Sequence, residues 1–144
     1  MDIEIRSYTD KDEPAVVALW RRVFHDAPSH NVPEMDIRRK MRIQPELFLV
    51  AVEGSRLVGT AMSGFDGHRG WIYYMAVLPE RRRRGIGRAL MRRVETELAA
   101  RGCPKINLQV RSTNRQAVAF YQRLGYEVED RISMGRKLAS EDDG

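Results

Sequence analysis

Three apolar runs separated by two tight turn signals constrain the fold of this chain most strongly. The runs occupy residues 47–52, 57–65 and 71–78. The turn between the first two reads Glu53-Gly54-Ser55-Arg56, and the second contains Asp66-Gly67. Glycine after an acidic residue favours the positive φ angles of hairpin turns. The pattern therefore predicts three consecutive antiparallel strands that need other elements to cover their apolar faces.

Further helix and strand patterns lie on both sides of these three strands. Apolar residues at helical spacing predict helices near residues 10–24, 35–43, 85–101 and 114–125. Alternating or apolar patterns predict additional strands at residues 3–8 and 106–110, at residue 128 and at residues 132–138. The order predicts an α/β fold of the mixed α+β kind. Its central mixed, mostly antiparallel sheet would have about seven strands flanked by four helices.

Length and composition favour one ordinary globular domain. The chain has 144 residues, of which 42% are hydrophobic and 31% charged. No apolar run is long enough to cross a bilayer, and the N-terminus does not resemble a secretory signal. Cys103 is the only cysteine, which excludes an intrachain disulfide and fits a cytoplasmic location. We expect a single domain over residues 1–139 and a disordered acidic tail over residues 140–144.

A glycine-rich, basic segment joins the third of these antiparallel strands, at residues 71–78, to the following helix. It reads Glu80-Arg81-Arg82-Arg83-Arg84-Gly85-Ile86-Gly87-Arg88. Unpaired N–H groups and a partial positive charge make a helix N-terminus an anion site, and glycines let a ligand approach the backbone. The segment lacks the Gly-Lys-Ser/Thr of a P-loop and the third glycine of a dinucleotide fingerprint. It predicts a ligand with several phosphates, although an arginine run is also typical of a solvated surface.

A second motif gives the resemblance to a known family. The spacing Arg82-x-x-Gly85-x-Gly87 resembles the acetyl-CoA motif of the GNAT N-acetyltransferase superfamily. The segment from Asn114 to Tyr126 resembles that family's Asn-x-x-Ala-x-x-Phe-Tyr-x-x-x-Gly-Phe/Tyr motif. Residues 66–70 and 101–106 further resemble the small YpeA-like bacterial branch. The resemblance implies a GNAT-like fold and acetyl transfer from acetyl-CoA, as co-substrate, to a primary amine, with no metal.

The resemblance also implies a role for each matching residue. The pyrophosphate of CoA would bind the backbone of Arg82, Arg83, Arg84, Gly85, Ile86 and Gly87, with Arg88 close by. The pantetheine arm would pair with Met75, Ala76 and Val77 and contact Asn114, and strand N–H groups would polarise the acetyl carbonyl. Tyr121 would be the catalytic acid that protonates the leaving thiolate. In the family the strands near residues 71–78 and 105–110 separate to admit the cofactor.

These side chains also have structural interpretations. Tyr121 lies on the apolar helix face with Phe120 and Leu124, and Asn114 suffices as a helix N-cap. Tyr73 and Tyr74 are interpreted as core and surface strand residues rather than catalytic groups.

The general base and the acceptor are left open. Related ribosomal-protein acetyltransferases have a glutamate where this chain has Gln109, which cannot accept a proton at neutral pH. Asp66, His68 and Glu80 are the candidate bases. Acidic residues in the predicted acceptor region over residues 23–41 could hold a cationic amine; they are Asp26, Glu34 and Asp36.

Two other functions and the oligomeric state also stay open. The missing glutamate keeps a non-catalytic acyl-CoA sensor as an alternative. A net charge of +5 admits a basic nucleic-acid-binding module, although no nucleic-acid motif supports it. Whether the chain forms a homodimer is likewise not decided by the sequence.

Overall fold

A computed structural model describes residues 2–24 and 32–138 of the chain. Among these residues it forms five β-strands and four α-helices. In chain order they are β1 (Ile3–Ser7), α1 (Glu13–Val23), α2 (Pro33–Lys40), β2 (Phe48–Glu53), β3 (Arg56–Phe65), β4 (Gly70–Val77), α3 (Ile86–Ala100), β5 (Ile106–Leu108) and α4 (Arg115–Arg123). This order confirms the predicted succession of elements as far as α4.

The chain divides into two compact units, Met1–Gln109 and Val110–Gly144, which are described separately. The single domain over residues 1–139 stays a prediction. The predicted acidic tail lies outside the described residues.

The first unit contains one sheet with the strand order β1-β2-β3-β4-β5. Strands β1 to β4 pair with one another in antiparallel fashion, and β5 runs parallel to β4 after the crossover through α3. Asp66 stabilises the turn between β3 and β4, because its carboxylate accepts hydrogen bonds from the N–H groups of His68 and Arg69 at 2.7 Å. These strand directions confirm the predicted mixed, mostly antiparallel sheet.

The predicted number of strands is wrong. The described residues form five strands rather than about seven, and the strands expected at residues 128 and 132–138 are absent from the described part of the second unit. Their apolar side chains are exposed there, with Ile132 at 89% and Met134 at 91%. Apolar alternation alone does not specify a strand, because strand propensity depends on how the side chains pack and are buried.

Helices α1 and α3 cover opposite faces of the sheet. Thr60 of β3 contacts Trp20 of α1 through a hydrogen bond of 2.9 Å, whereas a Cβ at the adjacent Gly59 would meet Leu90 of α3 at 3.1 Å. Successive strand residues point to opposite faces, so the two helices lie on different sides. The absence of a side chain at Gly59 lets α3 approach the sheet closely. This packing fixes the position of the N-terminal half of α3.

The second unit contains α4 and the segment after it. The Asn114 side chain accepts a hydrogen bond from the N–H of Ala117 at 3.1 Å, so its predicted N-cap role is confirmed. Helix α4 ends before Gly125, whose φ of 96° is readily adopted only by glycine. Tyr121 is buried, and its ring meets those of Phe120 and Tyr126 edge to face.

Candidate active site

The loop between β4 and α3 turns the chain sharply before the helix begins. A 3₁₀ turn spans Pro79–Arg81, and Arg83 and Gly85 follow with φ angles of 65° and 83°. Gly85 is the N-cap of α3 in the left-handed conformation, which costs glycine little. A Cβ on Gly85 would meet nothing within 4 Å in the protein alone. Backbone conformation rather than crowding within the protein therefore favours glycine at this position.

The start of α3 has the features of an anion site. The first intrahelical hydrogen bond joins the N–H of Ala89 to the carbonyl of Gly85 at 3.0 Å. The N–H groups of Ile86, Gly87 and Arg88 belong to the turn before that bond, where a helix offers no carbonyl partner. Four arginine side chains around this turn are exposed: Arg82, Arg83, Arg84 and Arg88. Helix dipole and arginine charge together favour a phosphate-bearing ligand here.

Arg81, the first arginine of the run, has a structural role. It is half-buried and forms an ion pair with Glu53 of β2 at 3.3 Å. The neighbouring Glu80 accepts hydrogen bonds from Arg22 of α1 at 2.6 and 2.9 Å and from Arg56 of β3 at 2.8 Å. These contacts tie the loop to three elements of the sheet unit.

The same contacts argue against Glu80 as a general base. The Arg22 guanidinium, supported by Arg56, lowers the pKa of the Glu80 carboxyl from its ordinary 4.5 to about 2. A carboxylate that holds protons so weakly at neutral pH is a poor base. Glu80 is better described as an anchor of the loop.

Strand β4 contains a β-bulge centred on Tyr74. Thr60 of β3 lies opposite Ala76, but Met62 lies opposite Tyr73, so β4 has one extra residue in this interval. Tyr74 has a φ of 50°, the left-handed region, which costs a residue with a side chain roughly 1–2 kcal/mol. Such conformations persist only where the surroundings hold them, and they cluster at functional sites. The bulge redirects the backbone at Tyr74 and Met75.

Strands β4 and β5 stop pairing just before this bulge. Their register contains three residue pairs, the last of which joins Ile72 to Leu108. Strand β4 continues to Val77 while keeping its pairing with β3 on the other edge. The pairing of β4 with β5 thus ends at Ile72, two residues before the strained Tyr74, and the strand separation that the family resemblance implies stays a prediction.

The Tyr74 side chain is held by aromatic and acidic neighbours. Its ring stacks on that of Trp20 with centroids 3.8 Å apart, and its hydroxyl donates a hydrogen bond to the Asp36 carboxylate of α2. Burial and the Asp36 carboxylate together raise the pKa of Tyr74 above its ordinary value of 10, so the phenol stays protonated. Asp36 also forms an ion pair with Arg39. From the sequence, Tyr74 is interpreted as a strand residue without a functional role, so its place at the bulge was not predicted.

The other acidic candidates in the acceptor region have different surroundings. Glu34 forms an exposed ion pair with Arg21 at 3.0 Å. Asp26 lies outside the described residues. The structure therefore brings Asp36 to the bulge and leaves Glu34 in a surface contact.

The remaining candidate bases lie in the β3–β4 turn. Hydrogen bonds from the backbone of Arg69 and His68 lower the pKa of Asp66, and this carboxylate is used to hold the turn. His68 is exposed in the same turn. Gly70 lies four positions before Tyr74 in β4, a distance of about 13 Å at the usual strand rise. The structure therefore does not bring Asp66 or His68 to the bulge.

The predicted site residues belong to two groups. Met75, Ala76 and Val77 lie on β4 and continue directly into the loop and helix start of Arg82–Arg88, so all of these residues are in the first unit. Asn114 and Tyr121 lie at the cap and on the buried face of α4 in the second unit. Burial raises the pKa of Tyr121 to about 12, so its hydroxyl is protonated at neutral pH.

Two general features of the described residues bear on ligand class. Residues 2–24 and 32–138 contain no group of three His, Cys, Asp or Glu side chains arranged to hold a metal ion. None of their helices is long and apolar enough to cross a membrane. The cytoplasmic location stays a prediction.

Comparison with known proteins identifies the class that this fold and loop define. The sequence profile described as the acetyltransferase (GNAT) family matches residues 9–126, and the chain belongs to that family. A relative from Pectobacterium atrosepticum, named an acetyltransferase, is 48% identical over 136 residues, which cover 94% of this chain and 96% of the relative. The protein is thus a GNAT-fold acetyltransferase, as the resemblance implied, whereas the YpeA-like branch stays a prediction.

Solved structures confirm the fold. Ard1 from Thermoplasma volcanium superimposes with a TM-score of 0.81 at 24% identity, covering 90% of this chain and 85% of that protein. The acetyltransferase AAC(6')-Iy, solved with a bisubstrate analogue containing CoA, gives a TM-score of 0.80 at 17% identity, covering 96% of this chain and all of that protein.

Proposed function

We propose that this acetyltransferase transfers the acetyl group of acetyl-CoA to a primary amine by direct attack within a ternary complex. The observation that carries the proposal is the arrangement of β4 and α3. A strained bulge at Tyr74, at the point where β4 loses its pairing with β5, is followed along the chain by a basic helix N-terminus. One continuous segment thus offers hydrogen-bond donors for an acyl group and positive charge for phosphates.

The helix N-terminus fits the anionic part of CoA. We assign the pyrophosphate to the backbone of Arg82–Gly87 and the Arg88 region. The exposed Arg82, Arg83 and Arg84 side chains supply positive charge around it. The pantetheine arm, which contains two amide groups, can then form strand-like hydrogen bonds with Met75–Val77, beyond Ile72, the last β4 residue paired with β5. The CoA-containing analogue bound by AAC(6')-Iy, which shares this fold, supports the choice of ligand.

The reaction needs no covalent enzyme intermediate. A neutral amine attacks the thioester carbonyl, the C–S bond breaks with release of the CoA thiolate, and the attacking nitrogen gives up its surplus proton to solvent to form the amide. A backbone N–H group near Met75, redirected by the bulge, would stabilise the oxyanion, where one well-placed donor contributes roughly 3 kcal/mol. We assign proton donation to the leaving thiolate to Tyr121, and a contact with the pantetheine arm to Asn114.

Among the described acidic candidates of the acceptor region, we assign Asp36 to the acceptor amine. It is the carboxylate that α2 brings to the Tyr74 hydroxyl at the bulge. We expect Asp36→Asn to raise the KM of the amine about 10-fold, roughly 1.4 kcal/mol, because the attraction to a cationic acceptor is lost while an amide can still accept from Tyr74. Steady-state kinetics with each substrate varied in turn would measure this change.

The control for this variant is Glu34→Gln, which removes a carboxylate from the same helix but from the surface pair with Arg21. Its amine KM should stay within about twofold, since exposed ion pairs contribute little. In both variants the Kd of acetyl-CoA should be unchanged. An unaltered amine KM in Asp36→Asn would remove Asp36 from the acceptor site.

The proposed function is tested by calorimetric titration followed by an amine screen. We expect micromolar binding of acetyl-CoA and weaker binding of dephospho-CoA, which lacks one phosphate for the arginines. Mass spectrometry should then detect an acetylated amine in reactions that contain the protein. Binding without any acetylated amine would favour the acyl-CoA sensor. No binding would contradict the site assignment and direct attention to nucleic acid.

A further inference from the structure

A buried polar relay holds the β4 bulge from the opposite strand. The Thr60 hydroxyl of β3 donates a hydrogen bond to the carbonyl of Tyr74 at 2.8 Å and accepts one from the indole Nε1–H of Trp20 at 2.9 Å. Thr60 is fully buried and Trp20 is 1% exposed. In such a setting each hydrogen bond is poorly replaced by water, so the relay favours one backbone position over others.

The relay contacts Tyr74, the residue whose backbone conformation is strained. Tyr74 is the non-glycine residue of β4 with a positive φ, and its carbonyl is bonded by a side chain within the interval where the strand register shifts. Thr60 therefore supplies a partner for a carbonyl that the bulge displaces from the regular ladder.

Trp20 holds Tyr74 in two ways. Its indole N–H orients the Thr60 hydroxyl, and its ring stacks on the Tyr74 ring at an interplanar angle of 13°. Phe24 of the segment after α1 meets the same tyrosine ring edge to face. Backbone and side chain of Tyr74 are thus both fixed by groups from α1 and β3, none of which lies in the phosphate loop.

We propose that Trp20 and Thr60 are positioning residues for acetyl transfer: they hold the Tyr74 bulge so that the adjoining backbone N–H group points at the thioester carbonyl. This inference rests on the proposed function, because it assigns the acetyl group to the bulge. Neither residue touches substrate in this assignment. Their effect on the reaction passes through the backbone of Tyr74 and Met75.

Two substitutions at Thr60 distinguish the effect of its hydroxyl group from the effect of its side-chain volume. Thr60→Val has nearly the same shape but cannot form the relay, and we expect its kcat to fall about 10- to 100-fold, the size of effect that follows from misplacing a reacting group. The KM of acetyl-CoA should change less than about threefold, because the phosphate loop is untouched. Thr60→Ser retains the hydroxyl and should recover kcat to within about threefold of the wild type.

Ser63→Ala is the matched control. Ser63 is a second buried hydroxyl of β3, and it donates to the carbonyl of Leu47 at 2.9 Å rather than to β4. Its loss should lower the thermal midpoint without lowering kcat more than about twofold. A wild-type kcat in folded Thr60→Val, or an equal loss of kcat in Ser63→Ala, would overturn the proposal.

Two further measurements keep the inference testable if a variant does not fold or if the protein shows no turnover. Trp20→Phe keeps an aromatic ring beside Tyr74 but removes the indole N–H together with part of the buried ring, and it should lower kcat in the same direction as Thr60→Val. Backbone amide NMR needs no activity: Thr60→Val should shift the Tyr74 and Met75 amides and change the φ-dependent coupling of Tyr74. Unmoved amides would refute the relay, whereas absent turnover with moved amides would refute only the proposed function.

Discussion

Gly87→Glu is expected to weaken acetyl-CoA binding at least about 100-fold, roughly 2.7 kcal/mol. Gly87 lies in the first turn of α3, two residues after the N-cap Gly85. A glutamate there would place a carboxylate and its side-chain bulk where we assign the pyrophosphate. Calorimetric titration of the purified variant would measure the loss.

Unfolding should not explain this result. An acidic side chain in the first turn of a helix interacts favourably with the helix dipole, so α3 itself should be unharmed. Gly87→Gln has similar bulk without the charge and should bind more tightly than Gly87→Glu. Thr96→Glu adds the same charge on an exposed site later in α3 and should leave the affinity within about twofold. Unchanged affinity in Gly87→Glu would exclude this helix start as the phosphate site.

Strands β2, β3 and β4 and the start of helix α3 were predictable because their turns and caps are specified by a few neighbouring residues. Gly54 and Gly67 adopt positive φ in the two turns that the sequence marked, and α3 begins directly after Gly85. Turn chemistry and helix caps depend on a few neighbouring residues, so they can be identified without knowledge of the tertiary structure.

The bulge was not predictable in the same way. Strand periodicity through residues 71–78 gives Tyr74 the pattern of an ordinary strand residue, and the extra residue appears only when β4 is aligned with β3. One signal was nevertheless present: Thr60 interrupts the apolar run of β3, and a buried hydroxyl needs a partner. The sequence cannot name that partner, because Trp20 is 40 residues away along the chain.

Contacts with residues far away along the chain make Glu80 a poor candidate base. Its partner Arg22 is 58 residues earlier in the chain, so the strong lowering of the Glu80 pKa could not be anticipated from the residues around it. The strand prediction at residues 132–138 failed for a related reason. Ile132 and Met134 are exposed, and whether the side chains of an apolar pattern are buried depends on packing contacts that the local sequence does not specify.

Tyr121→Phe is expected to lower kcat about 100-fold, within the range that general acid catalysis usually contributes. Burial raises the pKa of this tyrosine to about 12, which keeps its proton in place at neutral pH but makes it a weaker acid than a free tyrosine. The hydroxyl is thus suited to a hydrogen bond that strengthens as negative charge develops on the leaving sulfur. Because that contribution belongs to the transition state, the Kd of acetyl-CoA should change less than about threefold.

The pH dependence and a matched variant separate this role from packing. With a pKa of about 12, Tyr121 is protonated throughout pH 6–10, so its ionisation should produce no fall in the wild-type kcat across that range. Tyr126→Phe removes a hydroxyl from the ring that meets Tyr121 edge to face, and it should retain kcat within about twofold. If Tyr121→Phe instead turned over at the wild-type rate, Tyr121 would be a packing residue of α4. Proton delivery to the thiolate would then fall to another group or to water.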